Sequence, residues 1–586
     1  MKLIQTPGMD RRTFLKGCGS LFVLMGLPIE LRDVFAADPT SATAIPDHVT
    51  LSWIGDPATT QTITWRTDST VTLGIVEFSQ GMAGRATSIS TQTALTEILQ
   101  SSLGDMNLHS VTLSGLRSGT TYNYRVGDGK EIWSEPVSFT TAQVGIKSFK
   151  FLVFGDSQSG IASNPEYGPW QTNVHAAIAA NPNARFIINV GDLTEVGQDY
   201  EHWNNWYAAC KDIINTIPEM SCQGNHETYN RGFLPPSGAN SEPYEYVHQF
   251  KVPQNGPTPL RGQTYSWDYG NVHFAVVDSQ YEEEVTNESK VTRFPGNTFL
   301  DLQKEWLDKD LKSTKKLWKV VIFHKTPYYN KASRANELIK AAFTPIIDKY
   351  HVDIVFNGHD HGISRTYPIR NDTFVSSPGE GTVYYVTGRS GNKYYTDLSH
   401  KVWDQFFYDS VDLPTYVVAQ VDGNALTLKA FKQNGTLVDS YSINKSTGLD
   451  TPETVLPARY ANTQVVVYGN EAKDSASNPI NAIKMESNWY IPLYFVMVQY
   501  GNGNASNLGV TGYNYSEESG RITFTMGTKT YIFTVGTTVI VGVTTTLINP
   551  IILQNRIPMI EVTDIKAVWG FTYKYDAIFN MLLLTK

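Results

Sequence analysis

The chain has 586 residues, too many for one hydrophobic core, so several domains are expected. A hydrophobic fraction of 41% with 18% charged residues excludes a disordered chain. The 47 basic and 56 acidic residues give a formal charge of −9, which argues against a nonspecific nucleic-acid-binding protein because no basic field would neutralise a phosphate backbone.

The first residues have the pattern of an export signal. Arg11 and Arg12 form a twin-arginine pair, and residues 17–27 are an apolar stretch that is shorter than the roughly 20 residues a membrane span needs. Val34 and Ala36 suit cleavage after Ala36. We predict a twin-arginine signal peptide over 1–36 and a linker over 37–47. The mature chain is then periplasmic, cell-surface or secreted and has no transmembrane segment.

Two cysteines, Cys210 and Cys222, remain after that cleavage. An oxidising compartment would allow them one disulfide. Two reduced, buried thiols are the alternative, and we favour it slightly.

Residues 48–142 have the pattern of an all-β domain. Apolar and polar residues alternate over 62–66 and 120–126, as in half-buried strands. About 95 residues with this pattern suit a fibronectin type III-like sandwich.

The sequence pattern is different over residues 147–445. Apolar segments predict strands, and longer periodic segments between them predict helices. The strands include 149–154, 185–190 and 354–356; the helices include 172–180, 298–313 and 336–350. This alternation predicts an α/β sandwich with mixed sheets, whose site lies at the carboxyl ends of its strands.

A polar stretch over 446–460 is predicted to be a second linker. Residues 461–586 contain a weak internal repeat, in which residues 489–493 resemble 555–559 and a glycine-aromatic segment follows each copy. Such repetition is typical of a small, β-rich structural or binding module.

Five polar motifs follow apolar segments between these linkers. They are Gly155-Asp156-Ser157-Gln158, Gly191-Asp192-Leu193-Thr194-Glu195, Gly224-Asn225-His226-Glu227, His324, and Gly358-His359-Asp360-His361. Aspartate, asparagine and histidine are ligands for a pair of divalent or trivalent metals. Their shared strand-then-loop setting predicts a two-metal phosphoesterase.

One carboxylate has to bridge two metals that lie about 3.5–4 Å apart. Asp192 is the candidate for the bridge, and Asp156 is expected to bind the first metal only. The amide oxygen of Asn225 is expected on the second metal. His324, His359 and His361 would complete both sites, with the last two pointing at different metals.

The remaining polar residues of the motifs are assigned to catalysis. His226 is expected to protonate the leaving oxygen. Glu227 is expected to orient the His226 imidazole. Arg365 is expected either to contact the substrate phosphate or to brace its loop.

These motifs resemble the calcineurin-like metallophosphoesterases, and more narrowly their purple acid phosphatase-like branch. The narrower resemblance also rests on Leu51-Ser52-Trp53 and on Thr382-Val383-Tyr384-Tyr385-Val386. It covers about residues 46–445 and implies hydrolysis of phosphate esters at a dinuclear centre.

Two positions depart from that family. The superfamily has a histidine where Gln158 stands, and the purple branch has a tyrosine where Glu195 stands. Either side chain is a candidate to complete the first site, and the chain should lack the purple tyrosinate colour. Iron, manganese, zinc and calcium all remain possible metals.

The C-terminal residues resemble the copper amine oxidase N-terminal-like domain of exported bacterial proteins. This segment has no histidine to bind copper, so the resemblance implies a stalk that contacts a cell-envelope or surface partner.

The leading hypothesis is an exported metal-dependent phosphatase that hydrolyses small phosphate monoesters through a metal-bridging hydroxide. A phosphodiesterase or nucleotidase of the same fold is the first alternative. A surface-binding protein with a degenerate phosphatase domain is the second.

Overall fold

A computed structural model describes most of the chain. The described residues are 41–81, 88–232, 242–285, 294, 298–331, 334, 336–395, 398–453, 463–467, 470–473, 479–485, 487–497, 510–554, 556–576 and 580–585. The predicted signal peptide lies outside them. Within these ranges no helix is long and apolar enough to cross a membrane.

The first eight strands form two four-stranded antiparallel sheets, in the orders β1-β2-β6-β5 and β4-β3-β7-β8. The strands are β1 Asp47–Ser52, β2 Gln61–Asp68, β3 Ile75–Gln80, β4 Ser90–Thr93, β5 Leu95–Ser101, β6 Gly104–Leu113, β7 Thr121–Gly127 and β8 Val137–Thr140. Trp65, Leu113 and Tyr124 lie in the core between the sheets. The predicted all-β N-terminal domain is confirmed.

Strand β2 differs from the half-buried strand that its alternation predicts, because both of its faces are covered. Arg66 is fully buried, pairs with Asp47 at 2.6 Å and donates to the Asn204 side-chain oxygen at 2.6 Å. Asn204 belongs to the following domain. The polar face of the strand is therefore an interface between domains, which the sequence of β2 alone does not reveal.

Two seven-stranded sheets form the central region, in the orders β11-β10-β9-β21-β22-β23-β24 and β12-β13-β14-β15-β19-β16-β20. Their strands, with the hairpin β17–β18, are β9 Ser148–Phe154, β10 Ala184–Asn189, β11 Glu219–Ser221, β12 Tyr265–Tyr269, β13 Val272–Val276, β14 Trp318–Lys325, β15 Ile354–Gly358, β16 Ile363–Thr366, β17 Ile369–Arg370, β18 Thr373–Phe374, β19 Val383–Thr387, β20 Asp404–Tyr408, β21 Thr415–Asp422, β22 Ala425–Lys432, β23 Leu437–Asn444 and β24 Leu449–Pro452. Phe151, Phe186, Phe274 and Phe356 belong to the core that joins the sheets. The predicted α/β sandwich with mixed sheets is confirmed.

Helices connect these strands. Their bounds are Gly168–Ala180, Tyr200–Ala209, Tyr244–Gln249, Tyr281–Glu284, Thr298–Ser313 and Glu337–Tyr350, with 3-10 turns at His226–Thr228 and Thr258–Leu260. The first helix begins four residues before the predicted 172–180 because proline is tolerated in a first helical turn. Thr298–Ser313 buries Phe299, Leu307 and Leu311, the spacing of an amphipathic helix.

Strand β24 lies inside the stretch predicted to be a linker over 446–460. It pairs with β23 from Tyr441↔Pro452 to Asn444↔Leu449 and is the edge of its sheet. An edge strand can be polar on both faces because solvent covers it on one side. The polar composition of this segment therefore did not indicate a strand.

The C-terminal region is β-rich, as predicted. Its strands are β25 Thr463–Val467, β26 Asn470–Glu471, β27 Asn481–Met485, β28 Asn488–Pro492, β29 Val510–Ser516, β30 Arg521–Met526, β31 Lys529–Thr534, β32 Ile552–Gln554, β33 Ile557–Glu561, β34 Thr572–Asp576 and β35 Met581–Thr585, with a 3-10 helix Leu493–Met497 and an α-helix Val562–Trp569. The two copies of the repeat pair through β28 and β33. Val466 and Met581 join the core of the central sheets, so this region packs directly on them.

Cys210 and Cys222 are both buried and unbonded. Burial raises the pKa of each thiol well above its ordinary value. The structure therefore agrees with two reduced thiols rather than a disulfide.

A buried histidine between two carboxylates gives a pH-dependent stability. Burial lowers the pKa of His273, but its hydrogen bonds to Asp268 at 2.8 Å and Asp310 at 2.7 Å outweigh burial and raise it to about 9. The folded pKa exceeds the ordinary value of 6.5, so this stabilisation is complete below about pH 6.5 and disappears as the pH rises through about 9. We expect His273→Leu to cost about 2 kcal/mol at pH 6 and much less near pH 9.5.

Thermal unfolding of wild type and the variant at both pH values measures this difference. A decrease in melting temperature that is the same at pH 6 and pH 9.5 would contradict the assignment of the stabilising charge to His273.

Candidate metal centre

The five predicted motifs meet at one edge of the two central sheets. Strands β9, β10 and β11 are parallel, and β14 and β15 are parallel in the facing sheet. Each motif follows or ends one of these strands. The loops therefore gather at the carboxyl ends, where α/β sheets place their sites.

Two groups of potential ligand atoms share Asp192. One group is Asp192, His324 and His359, the other is Asp156, Asp192 and His361, and within each group the atoms lie within 4.8 Å of one another. His324 Nε2 is 3.1 Å from the Asp192 carboxylate, and His361 Nε2 is 3.2 Å from that of Asp156. Asp192 thus has the position expected of a bridging ligand, and His359 and His361 fall in different groups.

Four of these potential ligands have a backbone conformation that L-residues rarely adopt. Their φ angles are 54° at Asp156, 54° at Asp192, 76° at His359 and 58° at His361. Such strained residues concentrate at functional sites and need the surrounding structure to hold them. Here the backbone N–H of His359 donates to the Asp156 carboxylate at 3.0 Å, which ties the two strained loops together.

Glycine is required beside these ligands because the loops approach so closely. A Cβ atom on Gly224 would lie 2.1 Å from Asp192 Oδ1. One on Gly358 would lie 2.7 Å from Asp156 Oδ2. Gly224 and Gly358 therefore make room for the carboxylates.

Backbone carbonyls fix the orientation of three imidazoles through Nδ1. His324 contacts the Val190 carbonyl at 2.9 Å, His361 that of Lys393 at 2.9 Å, and His226 that of Glu195 at 2.7 Å. Each Nδ1–H donates there, so each Nε2 is left facing the cluster. Burial lowers the pKa of His324, yet the Asp192 charge outweighs it and raises the value to about 9.

Two amide oxygens complete the set of possible metal ligands. Asn225 donates through Nδ2 to the Tyr229 hydroxyl at 3.2 Å, and Gln158 donates through Nε2 to Asp192 at 3.1 Å. The Asn225 Oδ1 and the Gln158 Oε1 are buried without a hydrogen-bond partner among the described residues. Buried polar atoms normally find partners, so these oxygens, with the carboxylates and imidazoles, fit metal ions.

Glu195 lies beside the cluster rather than among its ligands. Its carboxylate accepts from the Gly160 backbone N–H at 2.9 Å and from Lys393 Nζ at 3.0 Å. Those contacts hold it away from the two groups that share Asp192. Of the two candidates for the departing family positions, the structure therefore favours Gln158.

This difference predicts a ranking of two variants. Gln158→Ala is expected to lower the metal content at the Asp156 side of the site. The Gln158 amide now faces Asp192 with its nitrogen, and a half-turn of the amide group would direct its unpaired oxygen to a metal ion there. Glu195→Ala is expected to lower the metal content less. Metal analysis of both purified variants tests the ranking, and the reverse order would return Glu195 to the ligand set.

Glu227 does not hold the His226 imidazole, which corrects the sequence-based assignment. Its carboxylate accepts backbone N–H groups of Asp192 at 2.9 Å, Leu193 at 2.8 Å and Gly224 at 2.6 Å. Burial, together with the Asp192 charge, raises its pKa to about 7. Glu227 therefore clamps two ligand loops together, and the Glu195 carbonyl orients the imidazole.

Arg365 does not reach the cluster, so its assignment to substrate contact is also wrong. It is fully buried, donates twice to Asp439 at 3.0 Å and lies 4.2 Å from the centre of the Tyr441 ring. The bidentate pair links β16 to β23. Arg365 braces the two sheets, which is nearer to the second of its two predicted roles.

Lys393 is a residue of the site that the motifs do not include. Its Nζ lies 2.9 Å from His226 Nε2, which in turn lies 4.0 Å from the Asp192 carboxylate. The lysine follows β19, a strand parallel to β15. Because α/β sheets place their sites at the carboxyl ends of their strands, the segment after β19 could have drawn attention to Lys393.

Two mixed sheets with carboxylate, amide and imidazole groups gathered at one edge fit the site of a metal-dependent hydrolase. Comparison with known protein families indicates the same class of site. Residues 46–141 match the Purple acid Phosphatase N-terminal domain, and residues 149–362 match the Calcineurin-like phosphoesterase family. The two matches together span more than half of the chain. The chain therefore carries a purple acid phosphatase N-terminal domain followed by a calcineurin-like phosphoesterase domain, and this pair of domains indicates a phosphate-ester hydrolase.

Individual relatives are similar over the same region. Purple acid phosphatase 23 of Arabidopsis thaliana is 26% identical over 52% of this chain and 69% of its own length. Acid phosphatase type 7 of Mus musculus is 26% identical over 64% of this chain and 84% of its own. The purple acid phosphatase PPD1 structure from yellow lupin shares the fold, with a TM-score of 0.54 and 20% identity over 68% of this chain and 74% of that one. The resemblance of residues 461–586 to the copper amine oxidase N-terminal-like domain stays a prediction.

Proposed function

We propose that this protein is an exported phosphatase that hydrolyses small phosphate monoesters with two metal ions. The observation that carries the proposal is Asp192, whose carboxylate belongs to both potential metal groups. A carboxylate in that position can hold two ions close enough to act on one phosphate.

The residues divide between two metal sites. The first ion would be held by Asp156, Asp192 and His361, with Gln158 as a further ligand. The second would be held by Asp192, Asn225, His324 and His359. Three imidazoles among these ligands favour iron, zinc or manganese over calcium, which prefers oxygen alone.

The ions, when bound, would activate a water molecule and neutralise charge on the phosphate oxygens. The chain supplies the geometry and the proton. Glu227 holds the loops that carry Asp192 and Asn225 in register. His226 Nε2 faces the ligands with Lys393 Nζ at 2.9 Å. A proton held between these two nitrogens is the one available to the departing alkoxide.

Chelation and reloading of the full chain test the proposal. Purified protein is treated with EDTA, reloaded with iron, zinc or manganese in turn, and assayed with p-nitrophenyl phosphate and bis-p-nitrophenyl phosphate. We expect metal-dependent turnover with the monoester preferred. Preference for the diester would favour a phosphodiesterase, and the absence of turnover on both esters with every metal would favour a binding protein with a degenerate site.

Export by the twin-arginine route is part of the same proposal. Its support is the Arg11-Arg12 pair ahead of the apolar stretch 17–27. Replacement of both arginines by lysine should retain the protein in the cytoplasm, which fractionation of an expressing bacterium would detect. Equal export of both forms would reject this route.

A further inference from the structure

A lysine ammonium group stands at the outer side of the proposed metal centre. Lys393 Nζ lies 3.0 Å from Glu195 Oε1 and 2.9 Å from His226 Nε2. The Lys393 side chain is 21% exposed, whereas those of Glu195 and His226 are 3% and 7% exposed. Lys393 is therefore the member of this trio that an incoming anion meets first.

The backbone of Lys393 is fixed to the same site. Its carbonyl accepts from His361 Nδ1 at 2.9 Å, so the residue orients a metal ligand as well as carrying a charge. Its Cβ packs against Gly160, where an added Cβ would lie only 3.2 Å away. Glu195 then holds the ammonium in place. This arrangement gives Glu195 a function at a position where the purple branch has a tyrosine.

Two other cations near the ligands are engaged elsewhere. Arg334 donates to Asp360 at 3.0 Å and to the His359 carbonyl. Lys325 pairs with Glu283 at 2.8 Å and with Glu282. Lys393 is different because its ammonium contacts His226, a side chain that itself faces the ligand cluster.

We propose that Lys393 contacts a non-bridging phosphate oxygen of the substrate and selects phosphate monoester dianions over diesters. This inference rests on the proposed function. A monoester dianion has one more unit of negative charge than a diester, and a partly buried ammonium attracts that charge more strongly than an exposed one. A diester lacks this second negative charge. It also carries a second organic group, which must fit on the same side of the site.

Two substitutions separate substrate contact from a structural role. Lys393→Met keeps the length of the side chain without its charge, and Lys393→Arg restores the charge. Lys319→Met is the matched control, because Lys319 is also half-buried, lies near the start of β14 and donates through Nζ to the Tyr350 carbonyl at 2.6 Å. Each variant is first shown to hold as much metal as the wild type.

We expect Lys393→Met to lower kcat/KM for p-nitrophenyl phosphate about 100-fold, the effect of removing one charge-stabilising donor. For bis-p-nitrophenyl phosphate we expect a loss below about 5-fold, since the extra charge is absent. The inhibition constant for inorganic phosphate should rise at least about 10-fold. Lys393→Arg should recover most of the monoester rate, and Lys319→Met should leave the ratio of the two rates unchanged.

Equal losses on both esters with unchanged phosphate inhibition would overturn the proposal and leave Lys393 as a positioning residue for His226. If metal-loaded wild type hydrolysed neither ester, the proposed function would fail separately. Calorimetric binding of inorganic phosphate would then decide about Lys393: weaker binding by Lys393→Met would support the contact, and equal binding would reject it.

Discussion

Replacing Asp192 by asparagine is expected to reduce the metal content below one ion per chain and to lower phosphate-ester hydrolysis at least about 1,000-fold. Asparagine has nearly the same size, so the change removes the charge of the carboxylate that both ligand groups share. It can still accept the His226 backbone N–H, which Asp192 now accepts at 2.9 Å. The loss should therefore come from the metals rather than from a collapsed loop. Metal analysis and p-nitrophenyl phosphate turnover on one sample measure both effects.

Asp353→Asn provides a matched control for that variant. Asp353 is buried and pairs with Lys445 at 2.8 Å, and it belongs to neither metal group. The Asp353→Asn variant should keep both metal ions even if its melting temperature falls. Full metal content in Asp192→Asn would contradict the bridging position.

His226→Ala is expected to lower turnover about 100- to 10,000-fold while leaving the metal content intact. The imidazole lies next to Asp192 without belonging to either metal group, so its removal takes away a proton donor and no ligand. An acid matters most for a poor leaving group. The loss should therefore be larger for an alkyl phosphate than for p-nitrophenyl phosphate, whose phenolate needs less help from an acid to depart.

His175→Ala, on an exposed helical surface, serves as the control for His226. Equal losses for the alkyl and the p-nitrophenyl ester would show that His226 binds phosphate rather than protonating the leaving oxygen. An unchanged rate on both esters would remove it from the catalytic site.

The residues that meet at this edge could be identified from the sequence because each lies at or just after the end of an apolar strand. A parallel strand delivers the next residue to the carboxyl edge of its sheet whatever the rest of the fold does. Asp156, Asp192, His324 and His359 all meet there for that reason. The same rule applied to β19 would have drawn attention to the loop that holds Lys393.

Residues whose role depends on distant partners could not be assigned in this way. Glu227 is next to His226 in the chain, yet its carboxylate turns to the backbone of the Asp192 loop. Arg365 follows the last histidine motif closely, but its partner Asp439 is 74 positions away. Glu195 is three residues from Asp192 and is held by Lys393, 198 positions along the chain. Spacing in the sequence carries no information about these contacts.

Metal stoichiometry of the wild type, measured by mass spectrometry on protein that also turns over p-nitrophenyl phosphate, tests the central claim most directly. Two ions per chain, with turnover that rises as the second ion binds, is the result expected from a carboxylate shared by two sites. Saturation at one ion, with full turnover at that point, would contradict the two-metal account.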